Sequence, residues 1–490
     1  MDCERKRGEN MAETAGNEEK RKGIPYINIP SVDALLSREE MQPMLERYPR
    51  YFVLKAVRAT LDGLRRELRS GDELRKLQPS FDESELIMKA QIKLNEYVTP
   101  GIQRCVNGTG IILHTGLGRA VLPKRAVDAL RANEGFVNVQ ASLKTGKRSQ
   151  RDVAVEKLLC EITGAEAAAV TNNNAAATML ALNTVAEGKE AIISRGQLIE
   201  IGGSFRLPDI MKKSGVKMVE VGTTNRTYLR DYENAITPET GCIFRAHTSN
   251  YRIQGFTHQP ELKEIVGLAK KHSIPFIDDL GAGAFFDLAP FGLSDEPLIQ
   301  KSIKAGSDLV LFSGDKLVGG PQAGILLGKK ELIKKLRSNP LTRVLRVCKL
   351  TLMALEATLF LFLDREKAVR EIPSFQMLSR SVDELQKSAL ELVEQLRKEA
   401  PFCDYGVEDE VSYMGSGSLP MEDIKTKVVS AKCSGIDCEE LARILREQEI
   451  PVFSRIKDNK VLIDMRTLLE GEHQMVVQTF KAAQKSLEGR

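Results

Sequence analysis

The 490-residue sequence predicts an α/β protein with a small helical domain at its N-terminus and a smaller α+β domain at its C-terminus. Three observations lead there. Before residue 90, apolar residues recur every three or four positions, as on a buried helix face. From about residue 105, short β-rich runs alternate with helix-length stretches, the pattern of parallel βαβ units. Beyond about residue 350 the alternation gives way to longer helices and a few isolated strands. The expected divisions are a charged tail at 1–24, a helical domain at 25–90, a large α/β domain at 91–350, and a linking helix with the small domain at 351–490.

The tail, "MDCERKRGENMAETAGNEEKRKG", has no apolar stretch of signal-peptide type and is expected to be disordered. In the first domain, Ser37 with Glu40 and Ser80 with Glu83 have capping-box spacing. Between them, Val53, Val57, Leu61, Leu64 and Leu68 mark the buried face of one helix, and Lys55, Arg58, Arg65, Arg66 and Arg69 its solvated face. The expected strands of the large domain are "EAAAV", "EAIIS", "VKMVEVG", "GCIFRAH", "IPFIDD", "DLVLF" and "AGILLG". A parallel sheet of this kind binds ligands at the carboxyl ends of its strands. "LTLMALEATLFLFLDREKAV" predicts a long buried helix leading out of that domain. "SVDELQKSALELVEQLRKEA" and "CEELARILREQ" then predict helices, and "TKVVSAK", "PVFSRIK" and "KVLIDMR" predict strands.

Composition narrows the function. No run of eighteen apolar residues occurs, so no membrane span is expected and the protein should be cytoplasmic. The eight cysteines, at 3, 105, 160, 242, 348, 403, 433 and 438, show no metal-like spacing and are expected to be reduced and mostly buried. With five histidines as well, no metal site is predicted. A net charge of +4 is too small to argue for a nucleic-acid partner from the total alone.

The chemistry concentrates around "FSGDKLVGGPQAG" (312–324). Lys316 follows an apolar strand within a glycine-rich turn, the setting a Schiff-base lysine needs beside a flat cofactor. One crossover earlier, "IPFIDDLGAGAFFDL" ends a strand with Asp278 and Asp279, either of which could pair with a protonated pyridine nitrogen. "AAAVTNNNAAATML" supplies Asn172, Asn173 and Asn174 at a helix start, where backbone N–H groups and the helix dipole attract a phosphate. A plain helix cap explains one of the three equally well. Ser313 is a further phosphate candidate. These groups together point to pyridoxal 5'-phosphate. Arg119, Arg148, Arg151, Arg343 and Arg346 offer guanidinium forks for a phosphate-like anion, with 343 and 346 on one face if that segment is helical.

"NGTGIILHTGLGR", "ITGAEAAAVTNNNAAA", "SRGQLIEIGGSFRLPDIM", "EVGTTNRT", "HTSNYRIQGF", "DLGAG", "LFSGDKLVGGPQAG" and "LTRVLR" resemble the bacterial selenocysteine synthase family, the L-seryl-tRNA(Sec) selenium transferases. The resemblance starts near residue 25, includes "IPSVDALL", and extends to "RIKDNKVLIDMRTL". It implies a fold type I pyridoxal phosphate-dependent transferase, assembled as a large homo-oligomeric ring. Such an enzyme turns seryl-tRNA(Sec) into selenocysteinyl-tRNA(Sec) through an aminoacrylyl intermediate, with selenophosphate as selenium donor. By the same resemblance, Lys316 holds the cofactor as an aldimine and acts as base, Asp279 meets the pyridine nitrogen with Asp278 as fallback, and Asp315 is catalytic. Arg119, Arg343 and Arg346 then bind the selenium-donor anion, and the N-terminal domain grips the tRNA.

The chain departs from the family pattern in "GKRSQRDVAVEKLL", with Ser149 for a glycine and Ala154 for a histidine, and at Gln197, where a glutamate is common. Arg455, in "PVFSRI", is expected to be structural. Two other readings remain. One is a related pyridoxal phosphate lyase or transferase acting on a small amino acid. The other is a tRNA-binding paralogue without turnover.

Overall fold

The computed structural model describes residues 29–70, 82–203, 205–293, 296–416 and 423–488, without the side chains of 67–70. The chain divides into two compact units at Gln103/Arg104. The expected tail and Ser80 lie outside the described residues, as do the side chains of Leu68 and Arg69.

The first unit is helical: Val32–Leu36, Gln42–Arg47, Arg50–Ser70 and Glu83–Val98. Its core brings Val53, Val57, Leu61 and Leu64 against Leu86, Ala90 and Leu94. The predicted apolar stripe is therefore the buried one. Lys55, Arg58, Arg65 and Arg66 are exposed, and the Lys55 ammonium lies 4.2 Å from the centre of the Tyr97 ring. Ser37 is no N-cap: it ends the helix Val32–Leu36, which Ser31 caps. The Ser37 hydroxyl is used instead on the carbonyl of Ala34, 2.8 Å away. The second long helix is capped by Asp82 and runs on to Val98, past the expected boundary at 90.

In the second unit a seven-stranded sheet has the spatial order Ala167–Thr171, Gly324–Gly328, Leu309–Ser313, Phe276–Asp279, Thr240–Ala246, Glu190–Ser194, Lys217–Val221. All the expected strands are present. One runs against the others: Gly324–Gly328 pairs antiparallel with both neighbours. The ten residues that join it to Leu309–Ser313 form a turn too short for a crossover helix. Strands 309–313 and 324–328 are buried throughout, with Leu311 and Leu326 in one core layer and Phe312 and Ile325 in the other.

A second, five-stranded sheet has the order Val106–Gly108, Val452–Lys457, Lys460–Asp464, Ile424–Cys433, Cys403–Ser412. Its outer strand Val106–Gly108, which precedes the large sheet in the chain, went unpredicted; it pairs parallel with Val452–Ser454. Helix Val382–Glu399 opens with a capping box, Ser381 with Glu384, and packs Leu385, Leu392 and Leu396 onto this sheet beside Phe480. Buried Asp464 accepts hydrogen bonds from Ser412 (2.9 Å), Thr426 (2.7 Å) and Arg455 (2.9 Å). Arg455 thus ties strands together, the structural role expected of it. The long helix predicted after residue 350 is interrupted: Lys349–Leu361 stops before Asp364, which caps a separate helix Arg365–Glu371.

The cysteines correct the expectation of reduced, mostly buried thiols. Cys403 and Cys433 stand directly opposite each other in antiparallel strands and form a disulfide, a pairing that a sequence separation of 30 concealed. Of the five free cysteines described, only Cys242 is fully buried. Among the described residues no helix is long and apolar enough to cross a membrane, and no cluster of residues has the makings of a metal site.

Candidate active site

Strand ends build the site. Asp279 ends Phe276–Asp279, Ser313 ends Leu309–Ser313, His247 follows Thr240–Ala246, and the three asparagines follow Ala167–Thr171. Lys316 sits three residues past Ser313, in a turn closed by the Gly319 N–H on the Lys316 carbonyl at 2.9 Å. Gly319 has φ +67°, a backbone that other residues adopt only with strain. Gly324 is needed for a different reason: a Cβ there would lie 2.0 Å from the Asn173 carbonyl oxygen. Its absence lets the strand after the lysine turn press against the asparagine turn.

Lys316 and Asp315 are each only 5% exposed, and Asp279 and Glu296 8%. Burial and the neighbouring Arg119 push the Lys316 pKa below the ordinary lysine value, against the pull of Asp315, Asp279 and Glu296. Arg119 Nη1 donates to Asp315 Oδ2 at 2.7 Å. Asp279 is held in place by three donors: Asn174 Nδ2 (2.8 Å), Thr178 Oγ1 (2.8 Å) and the Gly281 N–H (3.0 Å). Burial raises its pKa, while those hydrogen bonds and Lys316 oppose the rise.

The asparagines divide their labour. Asn174 positions Asp279, and Asn173 caps helix Asn174–Ala186 by accepting from the Ala176 N–H at 2.9 Å. Asn172 is exposed, its backbone N–H bonded to Leu345. Asp278 is removed from the pocket by strand alternation, because successive side chains point to opposite faces. It is fully buried in a fork with Arg245 (2.7 and 2.9 Å) and a hydrogen bond from Ser302. The fallback aspartate is thus committed to Arg245 and Ser302 on the opposite face of the strand from Asp279.

Of the three arginines expected to bind the anion, two share a cavity and one does not. Arg343 and Arg346 line a cavity of about 360 Å³ together with Arg151 and Arg337; Arg119 is not part of its wall. Helix Leu341–Val344 ends before Arg346, which instead bridges to Thr171, so the two do not share a helix face. Nε and Nη1 of Arg151 are buried without partners, and burial together with Arg346 and Arg343 lowers its pKa. An anion would relieve that concentration of positive charge. Ser149 has no left-handed backbone, and Gly146 carries a positive φ in this loop. Gln197 is buried and accepts from the Ala246 N–H at 3.2 Å.

Two residues of the site went unpredicted. His247 has a buried Nδ1 without a partner, and burial together with Arg245 lowers its pKa to about 4. Its place just past a strand end was the available signal. Glu296 is the other: neither carboxylate oxygen has a hydrogen-bond partner, and burial raises its pKa to about 7. The motif "DEP" offers two acids and no means of choosing between them.

The model of the L-seryl-tRNA selenium transferase family matches residues 105–469, and that of the selenocysteine synthase N-terminal region matches residues 28–65. The L-seryl-tRNA(Sec) selenium transferase of Alkaliphilus oremlandii is 42% identical over 460 residues, 94% of this chain and 98% of that protein. That of Clostridium botulinum strain Okra is 42% identical over 455 residues, 93% and 97% of the two chains. A solved D-glucosaminate-6-phosphate ammonia-lyase shares the fold, with TM-score 0.54 and 19% identity across 79% of this chain and 99% of its own. The fold type I transferase core expected from the sequence is the fold found, and the chain belongs to the L-seryl-tRNA selenium transferase family.

Proposed function

We propose that this protein converts L-seryl-tRNA(Sec) into selenocysteinyl-tRNA(Sec), with pyridoxal 5'-phosphate as cofactor and selenophosphate as selenium donor. The observation that carries the reading is the buried pair of Lys316 and Asp279, with Asp279 fixed by Asn174, Thr178 and Gly281. These residues fit the cofactor. Lys316 supplies an amine to hold it, Asp279 a carboxylate for its pyridine nitrogen, and the turn at 172–174 with Ser313 a place for its phosphate. When bound, the cofactor supplies an electron sink for the pair left on the serine Cα.

The chain's own groups do the rest. Lys316 Nζ, with its proton affinity lowered by burial, takes the Cα proton at neutral pH. Asp315, buried and tied to Arg119, keeps the turn that carries Lys316 in register. Burial of the four ionisable side chains excludes water from a site whose product would otherwise be lost to hydrolysis. Arg151, Arg343 and Arg346 hold the selenium-donor anion, with Arg119 acting from the lysine side. The exposed Lys55, Arg58, Arg65 and Arg66 form a basic helix face for the tRNA backbone, and the chains assemble as a homo-oligomeric ring in the cytoplasm.

The test is the visible absorption of the cofactor-loaded protein during addition of seryl-tRNA(Sec), with free serine and a non-cognate seryl-tRNA as controls. A spectral change with the cognate charged tRNA alone supports the reading. A response to free serine alone replaces it with a small-molecule enzyme. Binding of the tRNA without any cofactor band replaces it with a paralogue that lacks turnover.

A further inference from the structure

Two loops of the large domain hold aromatic rings and arginines together in the open. One leaves strand Lys217–Val221 and the other leaves strand Thr240–Ala246, both of which run parallel to their neighbours toward Phe276–Asp279. Both loops therefore lie on the carboxyl edge of the sheet, the edge that carries Asp279. Phe256 is 73% exposed, and the Arg226 guanidinium carbon sits 3.3 Å from the centre of its ring. Tyr228 stacks on His258 with ring centres 4.3 Å apart, and the Arg230 guanidinium lies 4.9 Å from the Tyr228 ring.

Hydrogen bonds lock the two loops to each other. Asn225 Nδ2 donates to the Phe256 carbonyl at 2.6 Å, the His258 N–H to the Asn225 carbonyl at 3.0 Å, and the Thr227 N–H to the His258 carbonyl at 3.0 Å. The rings are thus held in place before any ligand arrives, which lowers the cost of binding one. Residues 221–230 and 247–260 contain Arg226, Arg230 and Arg252 and no aspartate or glutamate. The next acid along the chain, Asp231, accepts from the Tyr228 N–H at 2.8 Å. A cavity of about 230 Å³ opens beside the rings, with Thr224, Asn225, Thr248 and Gln259 among its polar lining. Open rings with guanidinium groups and no acid suit unpaired nucleotides: a ring stacks on a base of any sequence, and arginine answers the phosphate charge.

We infer that Phe256 with Arg226, and Tyr228 with Arg230, form a stacking platform for the unpaired 3' nucleotides of the aminoacyl-tRNA whose serine enters the Lys316 pocket. The inference rests on the reading of a charged tRNA as the substrate. The second loop starts at that pocket, where the His247 N–H donates to the Asp279 carbonyl at 2.8 Å. Strand Lys217–Val221 lies three places along the sheet from Phe276–Asp279, about 14 Å at the usual strand spacing. A free amino acid held at Lys316 leaves the platform bare. Serine joined to the terminal ribose brings the following nucleotides out over the carboxyl edge and onto the rings.

The test uses the full-length, cofactor-loaded protein and uncharged tRNA(Sec) with a fluorescent adenine analogue at its 3' end, so that the outcome does not depend on turnover. Stacking should quench the analogue when the wild type binds. Phe256→Ala should abolish the quench and weaken binding on the order of tenfold, and Phe256→Tyr should restore both. A tRNA(Sec) shortened by its unpaired 3' nucleotides should bind the wild type and Phe256→Ala alike. An unquenched analogue in the wild type, or a quench that Phe256→Ala leaves intact, overturns the inference. So does an equal loss of affinity for the shortened tRNA, which would put the contact elsewhere on the RNA. A quench that survives while Phe256→Ala alters the sedimenting mass would make the surface an interface between copies of this chain. A cofactor band that ignores seryl-tRNA(Sec) would remove the transferase reading and leave the quenching result standing.

Discussion

Arg119 Nη1 and Asp315 Oδ2 lie 2.7 Å apart, although the two residues are separated by most of the large domain. Arg119 holds φ at 64°, left-handed backbone that is uncommon outside glycine and asparagine. A side chain from one loop, launched from a strained backbone, thus secures the residue next to Lys316. Arg119→Ala leaves Asp315 buried without its partner, and should lower unfolding stability by about 1–3 kcal/mol. Misplacement of the lysine turn should lower kcat/KM on the order of 100-fold. Urea unfolding and steady-state kinetics measure the two losses, and a neutral result in both removes Arg119 from the site.

The asparagine turn makes a prediction by position. Asn174→Ala removes a donor from Asp279 and should weaken cofactor retention by about 1–2 kcal/mol, read from the loss of the visible band on dilution. Asn173→Ala removes a helix cap and should cost about 1 kcal/mol of stability. Asn172→Ala should change neither by more than about 0.5 kcal/mol, because its side chain is exposed.

Glu296 should leave a mark on stability as a function of pH. Its carboxyl titrates near 7 in the folded protein and near 4.5 in the unfolded chain, so the folded state binds the extra proton between those values. Its contribution is complete below pH 4.5 and is lost as pH rises through 7, a total of about 3 kcal/mol. Glu296→Gln should therefore be more stable than the wild type at pH 8, with the gap closing as pH falls toward 5. Urea midpoints at pH 5.5, 7 and 8.5 check the trend. A gap independent of pH would place the gain in packing.

The Cys403–Cys433 bridge closes a loop of about thirty residues in the C-terminal sheet. Its reduction should destabilise the protein by roughly 3–4 kcal/mol in the chain-entropy account. Cys403→Ser should show a similar loss and no further response to reductant. Thiol counting under native and reducing conditions settles whether the bridge carries that stability.

Residues whose role follows from local order were legible in the sequence. Lys316 and Asp279 could be placed at one pocket because one crossover of fixed length separates two strand ends. The stripe Val53, Val57, Leu61 and Leu64 was legible because helical period alone decides its burial. Where tertiary contacts decide, the sequence was silent. Whether Asp278 or Asp279 faces the lysine depends on how the strand sits in the sheet, and Arg245 settles it from a neighbouring strand. Burial of Glu296 depends on the loop that docks Pro297 against Ala284. The antiparallel direction of strand Gly324–Gly328 was not drawn from the sequence, and the Cys403–Cys433 pair appears only once strand register is known.

The strand Val106–Gly108 has one neighbour in its sheet, and that neighbour comes from near the far end of the chain. On a ribosome, Val106 emerges long before Val452 has been made. The α+β sheet can close only after residue 452 has been made, so until then Val106–Gly108 has no partner strand. Any product truncated before residue 452 keeps that edge open and leaves Val106 without the core it shares with Phe480. The pairing of 106–108 with 452–454 thus makes closure of this sheet conditional on the later segment having been made.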